Sequence, residues 1–247
     1  DTDPVPKGWP QTIEDFYASV EAIYGDNADQ RVIIGPHMFT YPTTCKPWFE
    51  NWDKRYCRFV EIYSEHGMSE YNGNPRMLAR GNVQPGSFMQ DGLAAGCKFG
   101  ILGSSDTHDT RAGRGSNSLN YPGGLVAFIA KDLTRESIWD AWWNRRFYAA
   151  SSERIFIDFK INGHLMGEEI STKGAPQIVY TVYGCTKPFD VILLRNNEEL
   201  KRTASDGGTV TEDFRDTGFD QSANYYIRVV EHEGEFAWSS PIWVNEL

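Results

Sequence analysis

The chain has 247 residues, of which 40% are hydrophobic and 14% aromatic, enough for one large domain or two medium ones with sizeable cores. Asp and Glu number 34 against 24 Lys and Arg, a net charge of −10 without a basic stripe; this excludes nucleic acid as an expected partner and suits cation binding. No run approaches the roughly 20 apolar residues of a membrane span.

The chain opens with Asp1 rather than Met, as a processed or trimmed product would; a periplasmic or secreted location is compatible with this start, which is not informative alone, and the location stays open. Pro4, Pro6 and Pro10 exclude regular structure from the first ten residues. Thr12 is then a good N-cap, and Ile13, Phe16, Tyr17, Val20 and Ile23 fall at helical spacing before Gly25. Val32, Ile33 and Ile34 in succession predict a short strand buried on both faces that ends in Pro36-His37. A second such strand, Tyr56 to Tyr63, exits through Ser64-Glu65-His66-Gly67. After an irregular excursion, a helix is expected from about Ser87 to Ala95. The third apolar run, Phe99 to Leu102, breaks at Gly103 and delivers Asp106 and His108 two residues apart, so in extended backbone both project to one face. A glycine-rich loop carries Arg111 and Arg114, and Leu125 to Ala130 is a candidate fourth strand. Thr134 caps a helix with Ile138, Ala141, Trp142 and Phe147 on its inner face.

Past residue 150 the periodicity changes. Ile155, Ile157, Phe159 and Ile161 alternate with more polar neighbours, and Asn162-Gly163 is a hairpin turn signal. About seven short strands follow without a helical stretch, which predicts an antiparallel β-sandwich of immunoglobulin-like shape. The four cysteines show no Cys-x-x-Cys spacing; Cys45 and Cys57 either bridge in an oxidising compartment or, as we expect, stand as buried free thiols.

His37, His66 and His108 each lie just beyond a predicted parallel strand. If those strands are neighbours, their carboxyl ends share a rim, where Asp106 joins the histidines. Carboxylate oxygen and imidazole nitrogen suit zinc, manganese or iron. Arg111 and Arg114 are then candidate substrate-binding residues, able to hold a phosphate by paired hydrogen bonds. Glu61, Glu65 and Glu70 are candidate acceptors that orient the histidines. His164 and His232 sit beside turns and are expected to be solvated.

Three segments, Ile33-Ile34-Gly35-Pro36-His37, Val60-Glu61-Ile62-Tyr63-Ser64-Glu65-His66-Gly67 and Gly103-Ser104-Ser105-Asp106-Thr107-His108, resemble the PHP (polymerase and histidinol phosphatase) superfamily of metal-dependent phosphoesterases. Thr134-Arg135-Glu136-Ser137-Ile138, Arg146-Phe147-Tyr148-Ala149-Ala150 and Ala237-Trp238-Ser239-Ser240-Pro241-Ile242-Trp243 resemble a PHP-like subgroup with a C-terminal β-sandwich. The resemblance implies a distorted (βα)7 barrel with one to three divalent metal ions (Zn, Mn or Fe) that activate water against a phosphate ester. Carried over by residue, Asp106 binds one metal, His37 and His66 a second and His108 a third, with Asp106 and His108 catalytic. The family's opening His-x-His strand has no counterpart before His37, so the resemblance covers only the C-terminal half of the barrel plus the tail. An N-terminal half of the same barrel, as a separate chain or precursor fragment, becomes the expected partner, and a small phosphorylated molecule the expected substrate.

The expected fold is therefore α/β plus all-β, the C-terminal part of a distorted (βα)7 barrel over residues 1–150 followed by an immunoglobulin-like β-sandwich over 151–247. The expected function is a metal-dependent hydrolase of phosphoesterase type. The alternative is a non-catalytic binding or structural component that uses the β-sandwich. A carbohydrate-binding role for the eight Trp and twelve Tyr is a third reading, though most such rings are more simply core.

Overall fold

A computed structural model describes residues 8–10, 12–37, 39–40, 48–77, 85–108, 110 and 121–247. In chain order the elements are α1 (Ile13–Tyr24), β1 (Phe59–Ser64), β2 (Gly67–Met68), α2 (Met89–Ala94), β3 (Gly100–Gly103), β4 (Leu125–Phe128), α3 (Arg135–Trp143) and β5 (Phe147–Ala150). There follow β6 (Phe156–Ile161), β7 (His164–Leu165), β8 (Glu169–Thr172), β9 (Gln177–Cys185), β10 (Phe189–Arg195), β11 (Glu198–Ser205), β12 (Gly208–Arg215), β13 (Ala223–Glu231), β14 (Phe236–Ser239) and β15 (Ile242–Glu246). Among the described residues, no helix is long and apolar enough to cross a membrane.

The strands form three sheets. An eight-stranded sheet runs β11-β10-β13-β14-β5-β4, with β15 and β8 joined beside β13; a four-stranded sheet runs β12-β9-β6-β7; a small sheet runs β2-β1-β3. The eight-stranded sheet is the middle layer, and the alternation of its side chains shows why. On β10, Val191 and Leu193 enter one core with Phe159, Tyr180 and Val182 of the four-stranded sheet. Their neighbours Ile192 and Leu194 enter a second core with Val60, Ile62 and Ile101 of the small sheet and with Phe99 just before β3. Successive side chains of a strand point to opposite faces, so the run Val191–Leu194 is apolar throughout because both faces are covered.

This layering overturns the expected (βα)7 barrel. The strands are mostly antiparallel, and three α-helices occur among the described residues, too few for a barrel of strand-helix repeats. In the small sheet β1 and β3 are parallel, Val60 opposite Ile101, while β2 folds back antiparallel on β1. The strand expected at Val32 to Ile34 reduces to one parallel bridge between Ile34 and Cys57. The fourth strand expected in the barrel, β4, lies antiparallel on β5, and β5 lies on β14, so the large sheet passes through residue 150. With no barrel among the described residues, the expectation of a missing barrel half loses its structural basis.

Glycines permit the close approach of layers. A Cβ on Gly100 would stand 2.3 Å from the Phe147 ring, and one on Gly103 would stand 2.8 Å from the Leu125 carbonyl, so β3 presses on β4 and β5 only because both positions lack a side chain. Helix starts follow their caps, Thr12 Oγ1 accepting from Asp15 N and Thr134 Oγ1 from Ser137 N. Two helix details depart from expectation. Of the residues at helical spacing in α1, Tyr17 and Val20 are buried, whereas Phe16 and Ile23 are exposed. Phe147 belongs to β5, because α3 ends at Trp143 with Arg145 in the left-handed region (φ 58°).

Candidate functional site

The carboxyl ends of the parallel strands place the candidate site. The 34–36 segment lies beside the start of β1, with Arg58 N donating to Ile34 O and Glu61 N to Pro36 O, and β3 lies on the other side of β1. His37 follows the first of these segments, His66 sits in the turn after β1, and Asp106 and His108 follow β3. The structure brings all four together. Asp106 Oδ2 is 2.7 Å from His66 Nε2 and 3.5 Å from His37 Nε2, and Asp106 Oδ1 accepts from His108 Nε2 at 3.3 Å. The His37 and His66 rings lie edge to face, centroids 6.5 Å apart.

Burial is uneven across the cluster. The Asp106 and His66 side chains are each 11% exposed, His37 is half-exposed, and His108 stands 87% in solvent. Asp106 has a positive φ of 56°, a left-handed backbone that costs a non-glycine residue on the order of 1 kcal/mol and that tends to persist at functional sites.

Glu61 is the acceptor that orients His37. It projects from β1, largely buried, and its Oε1 accepts from His37 Nδ1 at 2.8 Å while its Oε2 accepts from Ser104 Oγ at 2.6 Å. The Glu61 bond raises the His37 pKa above its ordinary value, against the opposing effect of burial, with the Glu61 and Asp106 charges adding to the rise. Glu65 is buried in the turn beside His66. Glu70 stands apart from the histidines: its carboxylate accepts from Tyr226 Oη, Arg228 Nε and Trp238 Nε1, each at 2.8 Å, and so ties the loop after β2 to the middle sheet. Sequence reasoning missed Ser104, whose position two residues before Asp106 was the available signal. Arg111, Arg114 and Cys45 lie outside the described residues; Cys57, Cys97 and Cys185 are buried free thiols.

Whether these residues fit a metal ion turns on two observations. Among the described residues, no group of three or more His, Cys, Asp or Glu side chains is disposed around an ion position; the imidazoles and the carboxylate contact one another instead. Yet Asp106 Oδ2 is buried and makes no hydrogen bond among the described residues; its contacts with His66 and His37 are ion pairs only where the imidazole carries a charge. A buried carboxylate oxygen that faces two imidazole nitrogens without a hydrogen bond from either matches the donor chemistry of a nitrogen- and oxygen-liganded cation.

No family model matches the chain. It is 30% identical over 223 residues to an uncharacterized protein of Chlamydia muridarum and, over the same length, to one of Chlamydia trachomatis serovar D. A Chlamydia pneumoniae protein, also called uncharacterized, matches at 30% over 221 residues. In each case the match covers 80% of this chain and 36% of the relative, so the chain spans about a third of the length of the curated relatives it matches. An engineered protein of known structure aligns over 36% of this chain at 9% identity with a TM-score of 0.23, too low to indicate a common fold.

Proposed function

We propose that the chain carries a divalent-cation site, with His37, His66, Asp106 and His108 as its protein donors, and that this site serves hydrolysis of a phosphate ester. The buried Asp106 Oδ2, which faces two imidazoles and makes no hydrogen bond among the described residues, is the observation that carries the reading. A buried polar atom without a hydrogen bond costs about 1–3 kcal/mol, more if charged, and a cation held by Asp106 and the histidines would offset that cost. Zinc, manganese and iron all accept such a donor set. When bound, a cation of this kind supplies a water of lowered pKa and neutralises charge developing on phosphate oxygens.

The chain's own residues do the rest. Glu61 holds the His37 ring by its Nδ1 and turns Nε2 toward Asp106. His66, almost buried, meets the carboxylate from the inner side, whereas His108 meets Asp106 from the solvent side, where a substrate would approach. Arg111 and Arg114 are proposed, on the sequence alone, as the guanidinium groups that grip the phosphate.

A second reading is favoured by the lack of a ready-made ion position among the described residues. In it the cluster fastens the 104–108 segment by ion pairs, and the protein is a non-catalytic component that presents its β-sheets to a partner. Elemental analysis after dialysis against zinc, manganese or iron(II), followed by assay on p-nitrophenyl phosphate, separates the two. The hydrolase reading expects at least one cation per chain and turnover, both lost in the Asp106→Asn/His66→Ala double variant. A metal-free wild type without turnover refutes it and leaves the second reading.

A further inference from the structure

We propose that Ser104 is a positioning residue for His37, acting through Glu61; the purpose of the arrangement rests on the cation reading above, but its geometry does not. The three groups form a linear chain: Ser104 Oγ donates to Glu61 Oε2 at 2.6 Å, and Glu61 Oε1 accepts from His37 Nδ1 at 2.8 Å. The distances are those of strong, charge-assisted hydrogen bonds. Because Glu61 spends one oxygen on each neighbour, it holds the imidazole in the tautomer with hydrogen on Nδ1, which leaves Nε2 as the nitrogen with a lone pair. That nitrogen is the one 3.5 Å from Asp106 Oδ2.

Ser104 matters because the terminal torsion of a glutamate is soft and has no strong preferred value of its own. A carboxylate held at one oxygen only can swing and release the imidazole; a second bond to a fixed hydroxyl stops the swing. The hydroxyl is fixed because the Ser104 backbone is tied on both sides, its N–H donating to Tyr63 O at 3.0 Å and its carbonyl accepting from Gly124 N at 2.7 Å. Those bonds lock the exit of β3 to the end of β1 and to the entry of β4. The same short segment therefore sets both Asp106 and, through Glu61, the ring that faces Asp106.

The backbone bonds also make Ser104→Ala a clean variant, since they survive loss of the hydroxyl, and Ser104→Thr restores the donor. Two readouts test the proposal. In metal-free protein above the His37 titration range, long-range proton–nitrogen correlation of the imidazole is expected to show wild-type His37 as a single Nδ1–H tautomer. Ser104→Ala and Glu61→Gln are expected to shift it toward a mixture, and Ser104→Thr to preserve it. In a cobalt(II) titration followed by visible absorption, Ser104→Ala and Glu61→Gln are expected to weaken binding by about ten-fold or more, as loss of a partner behind a metal-binding histidine does elsewhere. Unaltered His37 nitrogen signals and unaltered cobalt affinity in both variants would overturn the proposal. If wild type binds no cobalt, the cation reading fails separately, and the tautomer alone decides: a shift in Ser104→Ala upholds the positioning role, and none refutes it.

Discussion

Replacing Glu70 by Gln tests whether the loop after β2 is held to the middle sheet by one buried carboxylate. Glu70 is 1% exposed, and Arg228 Nη2 lies 2.6 Å from its Oε1, beside the bonds from Tyr226, Arg228 Nε and Trp238. Burial alone would lower the Arg228 pKa; the Glu70 charge reverses that and holds the guanidinium firmly protonated. Gln keeps the volume and one acceptor oxygen, but it removes the counter-charge of Arg228 and aims an NH2 group at donors. Breaking one side of a buried ion pair costs about 3–5 kcal/mol. The surviving amide oxygen recovers part of this, so about 3 kcal/mol is expected, or roughly 6–12 °C in Tm for a chain of this size. Urea unfolding monitored by far-ultraviolet circular dichroism and by the fluorescence of buried Trp238 measures it. The Glu70→Gln/Arg228→Met double variant should recover much of the loss, because an apolar pair of similar shape needs no counter-charge. A single variant within about 1 kcal/mol of wild type would show that packing, not this carboxylate, holds the loop.

Two further outcomes follow from other contacts. Glu235 accepts from Ser151 Oγ, Ser152 N, Ser152 Oγ and Arg76 Nη2; burial raises its pKa, but these bonds outweigh it and hold the carboxyl below its ordinary 4.5. A depressed folded-state pKa means stability that is full above the unfolded value and lost as pH falls through the folded one. Acid unfolding curves should therefore steepen below about pH 4.5 in wild type and less so in Glu235→Gln, which should cost about 2 kcal/mol at pH 7; parallel curves for the two proteins would contradict this. Gly100→Ala puts a methyl group 2.3 Å from the buried Phe147 ring and should destabilise by about 1–3 kcal/mol, whereas Gly100→Ala/Phe147→Leu should regain part of it; a neutral Gly100→Ala by thermal melting would show that β3 and β5 are free to separate.

The elements were more legible than their arrangement. Thr12 and Thr134 announced helix starts through a cap chemistry that depends only on neighbours in sequence. The end of α3 carries no such sign, since its left-handed position is filled by Arg145 rather than glycine, and the helical spacing continues in the sequence to Phe147. The barrel expectation failed for a different reason. Apolar runs such as Phe99 to Leu102 report that a strand is covered on both faces, and that is true of β3, whose four residues are all buried. They do not report what covers it. A ring of helices and a large antiparallel sheet bury the same run equally well, and here the cover includes Ile192, Leu194, Tyr226 and Trp238 of the middle sheet. The run Val191–Leu194, apolar at every position in a region otherwise alternating, was the available sign of a sheet covered twice.

The convergence of His37, His66, Asp106 and His108 was legible because it needs adjacency, not a barrel. Residues just past the ends of neighbouring parallel segments meet on one rim whether three segments or seven lie side by side, and the Ile34–Cys57 bridge with the β1–β3 pair supplies three. Glu61 was legible for a related reason: a carboxylate inside an apolar strand must find donors, and those within reach of β1 lie on the segments flanking it, His37 on one side and Ser104 on the other. Glu70 obeys the same requirement and was misassigned. It too is buried and must be satisfied, but its donors Tyr226, Arg228 and Trp238 come from β13 and β14, more than 150 residues away in sequence. The need of a buried carboxylate for partners is written in its chemistry, whereas their identity is decided by which sheet the loop lies on. That difference separates the oriented histidine at the rim from the structural tie beneath it.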